Sequence, residues 1–183
     1  TAGGPVQDIR TSELAEEVRS KGWIAYSARG DNGTWDLFAS RPDGSDKKNI
    51  TNTPDYEEAA PRFTTDGSRM LFRRMAKGAV INHDLWGFQG ELMIAGGNGA
   101  NAEPFGGDGE YAWASWSPDG SQILCLTKKD IEIVDAATKE VAHSLPRQGI
   151  YQQLFWSPNG KWFTGTANHA GTEWCVVRMN AET

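Results

Sequence analysis

Apolar positions along this chain come in short runs, Trp23-Ile24-Ala25-Tyr26, Met70-Leu71-Phe72, Ile123-Leu124-Cys125-Leu126 and Trp162-Phe163-Thr164, each bounded by polar residues and glycine. Runs this short and this rich in aromatic and aliphatic residues predict buried strands rather than helices. Three of the four follow a recurring segment: Ala60-Pro61-Arg62-Phe63-Thr64-Thr65-Asp66-Gly67, Trp113-Ala114-Ser115-Trp116-Ser117-Pro118-Asp119-Gly120 and Gln153-Leu154-Phe155-Trp156-Ser157-Pro158-Asn159-Gly160. Its chemistry is that of a turn, with Pro presetting φ, Asp or Asn tolerating the next corner and Gly taking the left-handed position. An acid then opens a third strand in each unit: Trp35-Asp36-Leu37-Phe38, His83-Asp84-Leu85-Trp86, Asp130-Ile131-Glu132-Ile133-Val134 and Glu173-Trp174-Cys175-Val176-Val177. Outer strands follow further turns, Asn49-Ile50-Thr51 after Arg41-Pro42-Asp43-Gly44 and Val141 to Leu145 after Asp135-Ala136-Ala137-Thr138.

Glycines 22, 67, 120 and 160 are spaced 45, 53 and 40 residues apart, close to the roughly 40 to 45 residues of a four-stranded propeller blade. The expectation is an all-β fold, a β-propeller of four-stranded antiparallel blades spanning residues 21–58, 59–110, 111–150 and 151–183. Blade one lacks an innermost strand and blade four an outer one. A partial propeller is therefore expected, with a closed four-bladed ring as the alternative if Val6 to Arg10 paired with the last blade. Residues 1–20 form an N-terminal extension in which Thr11 to Gly22 reads as a short helix, with a Ser/Thr N-cap, Leu14 and Val18 at i,i+4, and basic residues before Gly22.

The phrase aromatic-Ser-Pro-Asp-Gly, an apolar strand, Asp-aliphatic-aromatic and then Asp-Gly resembles the WD40-like repeat of TolB-type β-propellers over residues 21–183. That resemblance implies a fold and several functions: a noncatalytic scaffold binding a protein or peptide on its loop face, a metal-dependent carbohydrate-active lyase or hydrolase, or the propeller domain of a peptidase whose catalytic serine lies elsewhere. The scaffold reading, as a portion of an exported, periplasmic bacterial protein, is the expectation, with a protein or peptide as partner and another chain as a candidate to complete the propeller.

Composition narrows the alternatives. Eighteen Lys and Arg against 24 Asp and Glu leave a formal charge of −6, which disfavours nucleic acid as a partner. No run of 18 apolar residues exists to enter a bilayer. Cys125 and Cys175 fit neither a disulfide framework nor a metal-ligand spacing and are read as inert thiols in buried strands. Aligning the repeats places Glu58, Tyr111 and Tyr151 at one position where the inner strand meets the central channel, and Asp31, Arg62 and Arg147 complete the expected partner-binding face. No catalytic residue and no cofactor are assigned. A divalent metal held by His83, His169 and Asp84 is the alternative, since imidazole and carboxylate suit such an ion. His143, between Val141 and Leu145, is read as an interblade packing residue, and Gly96 to Asn101 as a hairpin connection.

Overall fold

The computed structural model describes residues 9–81, 87–147, 149–169 and 173–181. Helix α1 (Ile9–Arg19) leads into four antiparallel sheets. The first contains β1 (Ile24–Arg29), β2 (Trp35–Ser40) and β3 (Lys48–Asn49), and the second β4 (Tyr56–Phe63), β5 (Arg69–Ala76), β6 (Glu91–Gly96) and β7 (Glu103–Pro104). The third contains β8 (Trp113–Trp116), β9 (Gln122–Leu126), β10 (Asp130–Asp135) and β11 (Val141–Pro146), and the fourth β12 (Ile150–Trp156), β13 (Trp162–His169) and β14 (Glu173–Asn180). Each strand pairs with its neighbours in sequence, so every sheet is a meander, and sheets two, three and four are led by the inner strands β4, β8 and β12. This is β-propeller architecture; among the described residues no strand lies inside β1 in sheet one or outside β14 in sheet four.

The recurring turns explain why the units look alike. The hydroxyl of Thr64, Ser117 or Ser157 donates to the carboxylate or amide oxygen two residues on, Asp66, Asp119 or Asn159, at 2.6 to 2.7 Å. The same oxygen accepts the amides of Ser68, Ser121 and Lys161 at 3.0 to 3.1 Å, and the hydroxyl accepts those of Arg69, Gln122 and Trp162 at 2.9 to 3.1 Å. Gly67, Gly120 and Gly160 all sit at φ 70 to 71°, where a Cβ would be strained. Gly22 differs: its φ is 145° and it closes no such turn. Trp23, not Ile24, therefore stands where Arg69 does in the next sheet, one residue out of the alignment that the glycine spacing suggests.

Two apolar clusters fill the gaps between sheets. Leu37 meets Met70, Phe72, Met93 and Ala95 between sheets one and two, while a larger cluster running from Leu71 and Ile94 through Ile123, Leu124 and Ile133 to Leu154 and Phe163 joins sheets two, three and four. Inner strands do much of this work, β4 packing on β1 and β2, and β12 on β8 and β9. Among the described residues no comparable packing joins sheet four to sheet one.

Several expectations are corrected. The third strand of the second blade is Glu91–Gly96, and the acid that opens it is Glu91, paired with Arg74; His83 to Trp86 lie outside the described residues. Cys125 is buried but Cys175 is exposed, because β14 is an edge strand. His143 is exposed on β11 rather than packed between blades, since that outer strand has solvent on both faces. The helix begins at Ile9, two residues ahead of its expected start, and so has no acid in its first turn. Leu14 is 57% exposed, so the helix is held beside sheet one without a buried apolar stripe, its Arg19 lying 3.7 Å from Asp43. Val6 to Asp8 lie outside the described residues, and Ile9 and Arg10 belong to α1 instead of a closing strand. The Gly96 to Asn101 segment is the expected hairpin connection, closed by Gly99 N donating to Gly96 O at 2.8 Å.

Hydrogen bonds from Thr64 and from Ser68 hold the Asp66 carboxyl down at about 2, and the equivalent partners of Asp119, chiefly Ser117 and Ser121, hold it below the usual carboxylate range. A carboxyl depressed by folding stabilises the native state fully above its unfolded value near 4 and loses that contribution as pH falls toward the folded value. The thermal midpoint is expected to drop between about pH 4 and about pH 2. Asp66→Asn, which copies the natural Asn159, should flatten this drop while nearly preserving the midpoint at neutral pH, and Asp66→Ala should lower the midpoint at every pH; scanning calorimetry of the three proteins across that range checks both.

Candidate functional site

The inner strands bring three aromatic and cationic groups together. The guanidinium of Arg62 on β4 lies 4.9 Å from the ring centroid of Trp113 on β8 and 5.6 Å from that of Phe155 on β12. The two rings meet edge to face at 5.5 Å. The cluster is braced from behind: Trp113 Nε1 donates to Leu154 O at 2.8 Å, and Trp116 Nε1 donates to Arg62 O at 3.0 Å. Backbone geometry contributes too, for Ala60 and Gln153, at the same repeat position, both adopt positive φ, 57° and 65°, at breaks in the strand register. Bulges of this kind re-aim the side chains that follow them. Phe155 remains 43% exposed and Arg62 half-buried, and burial lowers the Arg62 pKa from its ordinary value without discharging it at neutral pH. A cation between two aromatic walls, at the meeting of three blades, is suited to a carboxylate or an aromatic ring.

The other expected residues occupy different surroundings. Glu58 on β4 is fully buried, and its Oε1 accepts from Arg74 Nε and Nη2 at 3.1 and 3.0 Å, while Oε2 has no hydrogen-bond partner among the described residues. Arg74 in turn lies over Tyr56, itself 41% exposed, at 4.8 Å. A ligand approaching here meets Tyr56 and Arg74 before Glu58. Tyr111 is 5% exposed, packs on Phe105 and donates its hydroxyl to Glu132 Oε2 at 3.3 Å. Burial, reinforced by the neighbouring Cys125, Glu110 and Glu132, pushes its phenol far up, and burial also raises the Glu132 carboxyl. Arg147 lies in the loop after β11, where its Nε donates to Ile150 O and its Nη1 to Thr127 O at 3.3 Å. Asp31 is exposed in the β1–β2 turn. Tyr151 lies in β12 and His169 in β13, but their side chains, like all of His83 and Asp84, lie outside the described residues. Among the described residues no three His, Cys, Asp or Glu side chains are placed to share a metal ion, and no helix is long and apolar enough to cross a membrane.

Two buried ionic groups escaped the sequence. Glu57, adjacent to the expected Glu58, accepts the amides of Trp35 at 2.7 Å and Gly78 at 2.9 Å, tying sheet one to sheet two. Burial opposes its charge, but those amides, with Arg29 and Lys77, hold it below the usual range. Arg73, 1% exposed, donates to Gly90 O at 3.2 Å and Tyr111 O at 2.5 Å, bridging sheets two and three, and burial brings its pKa down to about 10. Only the alternation of Arg73 with Leu71 and Met75 on one strand hinted at an inward cation.

No protein-family model matches the chain, and no curated protein matches its sequence. Solved structures do. A putative TolB from Agrobacterium tumefaciens superposes with a TM-score of 0.65 at 11% identity, covering 87% of this chain and 58% of that one. An oligogalacturonate lyase in complex with manganese gives 0.56 at 19% identity, over 81% of this chain and 40% of that one. The β-propeller domain of the Trilobed protease from Pyrococcus furiosus gives 0.55 at 15%, over 86% and 51%. At such identities the likeness is one of fold, and the chain spans about half the length of the structures it resembles.

The Arg73 bridge is testable without any ligand. Arg73→Met keeps the bulk but removes the donors to two buried carbonyls, and it should lower stability by about 3 kcal/mol, read as a shifted urea midpoint with an unchanged slope. A change under about 0.5 kcal/mol, the range of an ordinary surface substitution, would remove the bridge from the account.

Proposed function

We propose that the chain serves as a noncatalytic β-propeller scaffold that binds a protein or peptide partner, as part of an exported bacterial protein. The observation that carries this reading is the Arg62, Trp113 and Phe155 cluster: two rings and a cation on three inner strands, partly open to solvent, resembling the aromatic and arginine anchors on which peptide recognition concentrates. The solved propellers of similar fold include a TolB and a protease's propeller domain, which is in keeping with a scaffold. Tyr56 and Arg74 stand at the other end of β4 from Arg62, the end that meets Trp35 after the β1–β2 turn carrying Asp31.

Selection of a random peptide library on the immobilised chain tests the reading. Enriched peptides should carry an acidic residue beside an aromatic one, and Arg62→Met or Phe155→Ala should each weaken them at least tenfold, or about 1.4 kcal/mol, while Asp135→Asn leaves them unchanged. Peptides that ignore both substitutions would reject the site. Manganese-dependent cleavage of oligogalacturonate by the chain would reject the noncatalytic reading in favour of a carbohydrate-active one.

A further inference from the structure

We propose that the Arg62 cluster is a carboxylate site and that the hydroxyl of Ser115, backed by the indole N–H of Trp156, is its second donor. This rests on the partner-binding reading above and names the chemical group that the partner places there.

Two buried donors stand unused in the seam between sheets three and four. Ser115 on β8 is 7% exposed, and its Oγ has no hydrogen-bond partner among the described residues; nor has the buried Nε1 of Trp156 on β12. Buried polar groups without a partner are costly and rare, so two in one seam call for a reason. Strand parity brings them together. β8 runs in unbroken register against β9, so Trp113 and Ser115 share a face, and Trp113 Nε1, donating to Leu154 O, shows that this face looks toward sheet four. Trp156 stands opposite Phe163 in its ladder, and Phe163 is fully buried in the cluster that joins sheet four to sheet three. The indole therefore looks back at sheet three. Its height follows from the repeat: Trp116 and Trp156 hold one position, and Trp116 Nε1 reaches back to the carbonyl of Arg62, the residue before Phe63. The same reach from Trp156 ends at the residue before Trp116, which is Ser115.

Arg62, Ser115 and Phe155 thus occupy one repeat position on three consecutive inner strands, all of them described. The guanidinium and the Phe155 ring, 5.6 Å apart, both meet Trp113 on the strand that carries Ser115. A cation, a hydroxyl and an indole N–H make a set of donors. Strands β8 and β12 carry no acid, and the acids of the neighbouring segments are engaged elsewhere. Glu57 and Glu58, at the far end of β4, are held by the Trp35 and Gly78 amides and by Arg74, and Asp66 and Asp119 by the hydroxyls and amides of their own turns. The matching ligand group is an anionic acceptor, and a carboxylate has two oxygens to offer, one for the guanidinium and one for the hydroxyl. A serine hydroxyl accepts as well as donates. Turned by one rotamer, Ser115 Oγ takes the Trp156 N–H and gives its own O–H to the ligand. Binding then satisfies both donors at once, and hydrogen bonds in such a chain strengthen one another. A neutral carboxamide of the same shape fills the space between the rings without compensating the guanidinium charge.

Hydrocinnamate, a carboxylate on a short stem from a phenyl ring, is the probe, and hydrocinnamamide is its neutral counterpart. Each is titrated into the full chain, with the indole N–H resonances of the tryptophans followed by NMR. The acid should bind about tenfold more tightly than the amide and should shift the Trp156 indole resonance as that N–H gains a partner. Ser115→Ala should weaken the acid about tenfold, as for a lost hydrogen bond to a charged group, and should erase the Trp156 shift. It should leave the urea midpoint of the free chain undiminished, because the deleted hydroxyl has no partner there; a purely structural serine would move the midpoint and not the acid-to-amide ratio. Trp156→Phe keeps the ring against Phe163 and should weaken the acid by a smaller factor. Equal affinity for acid and amide, no binding of the acid, a Trp156 resonance that stays in place as the acid binds, or wild-type affinity in Ser115→Ala would each overturn the proposal. The selected peptides report separately. If they depend on Arg62 and Phe155 but not on Ser115, the scaffold reading stands and this inference falls; if hydrocinnamate behaves as described and no peptide is enriched, the carboxylate site stands and the peptide reading falls.

Discussion

Each middle sheet of this propeller is apolar on both faces, so neither can keep water from its own side chains, and burial is achieved only by stacking one sheet on the next. β5 shows the constraint within one strand: Met70 and Phe72 point to sheet one, Leu71 and Met75 to sheet three. A residue on one strand therefore serves two interfaces, and the angle at which a sheet leaves its turn must be held fixed. The Thr/Ser-x-Asp/Asn-Gly turn does this, because one oxygen and one hydroxyl satisfy each other and the amides on both sides of the reversal. Across the turn the sheets are also tied directly, Thr65 Oγ1 donating to Pro118 O at 3.0 Å and Arg69 donating to Gly120 O while lying over Trp116.

Polar groups at the sheet boundaries follow from the same geometry. Where a strand ends, its last amides and carbonyls have no ladder partner, yet stacking has removed them from water, which is costly unless a side chain reaches them. Glu57 supplies the acceptor for two such amides and Arg73 the donors for two such carbonyls. Their burial is a consequence of position, since each projects from a strand directly into the seam between blades. Their charges persist because the partners outweigh the desolvation in Glu57 and because an arginine brought down to about 10 is still protonated at neutral pH.

The sequence made the repeat legible because turn chemistry is local: Pro118-Asp119-Gly120 needs only its own residues to be recognised, and it forms the turn that its residues imply. What required a partner from far along the chain was not legible. His83-Asp84-Leu85-Trp86 matches the acid-aliphatic-aromatic phrase and Glu91-Leu92-Met93-Ile94, without an aromatic, does not, yet it is Glu91–Gly96 that pairs with β5. Gly22 matched the glycine spacing, yet without a Ser and Asp ahead of it no turn forms and the strand begins one residue out of step. Repeat alignment picked out positions on the inner strands, but which inner-strand residue is exposed depends on the bulges at Ala60 and Gln153, so Phe155 stands open while Glu58 and Tyr111 are enclosed.

Sheet one departs from the others in ways that share a cause. Among the described residues β1 has no neighbour on its inner side, and its residues are half-exposed. Large apolar residues there would be poorly covered, and the strand carries Ala25, Ser27 and Ala28 where β5 carries Leu71, Arg73 and Arg74. The aromatic residues before and opposite it are covered by cations, Trp23 by Arg41 and Lys48 at 4.1 and 4.5 Å and Phe38 by Lys47, whose aliphatic stems shield ring faces while their charges remain in water. The inner three-blade cluster works the other way: Arg62 is held between rings and braced by Trp113 and Trp116, so its geometry is set before any ligand comes. One surface is covered by flexible cations and the other is preorganised, and the difference follows from which described strands flank each.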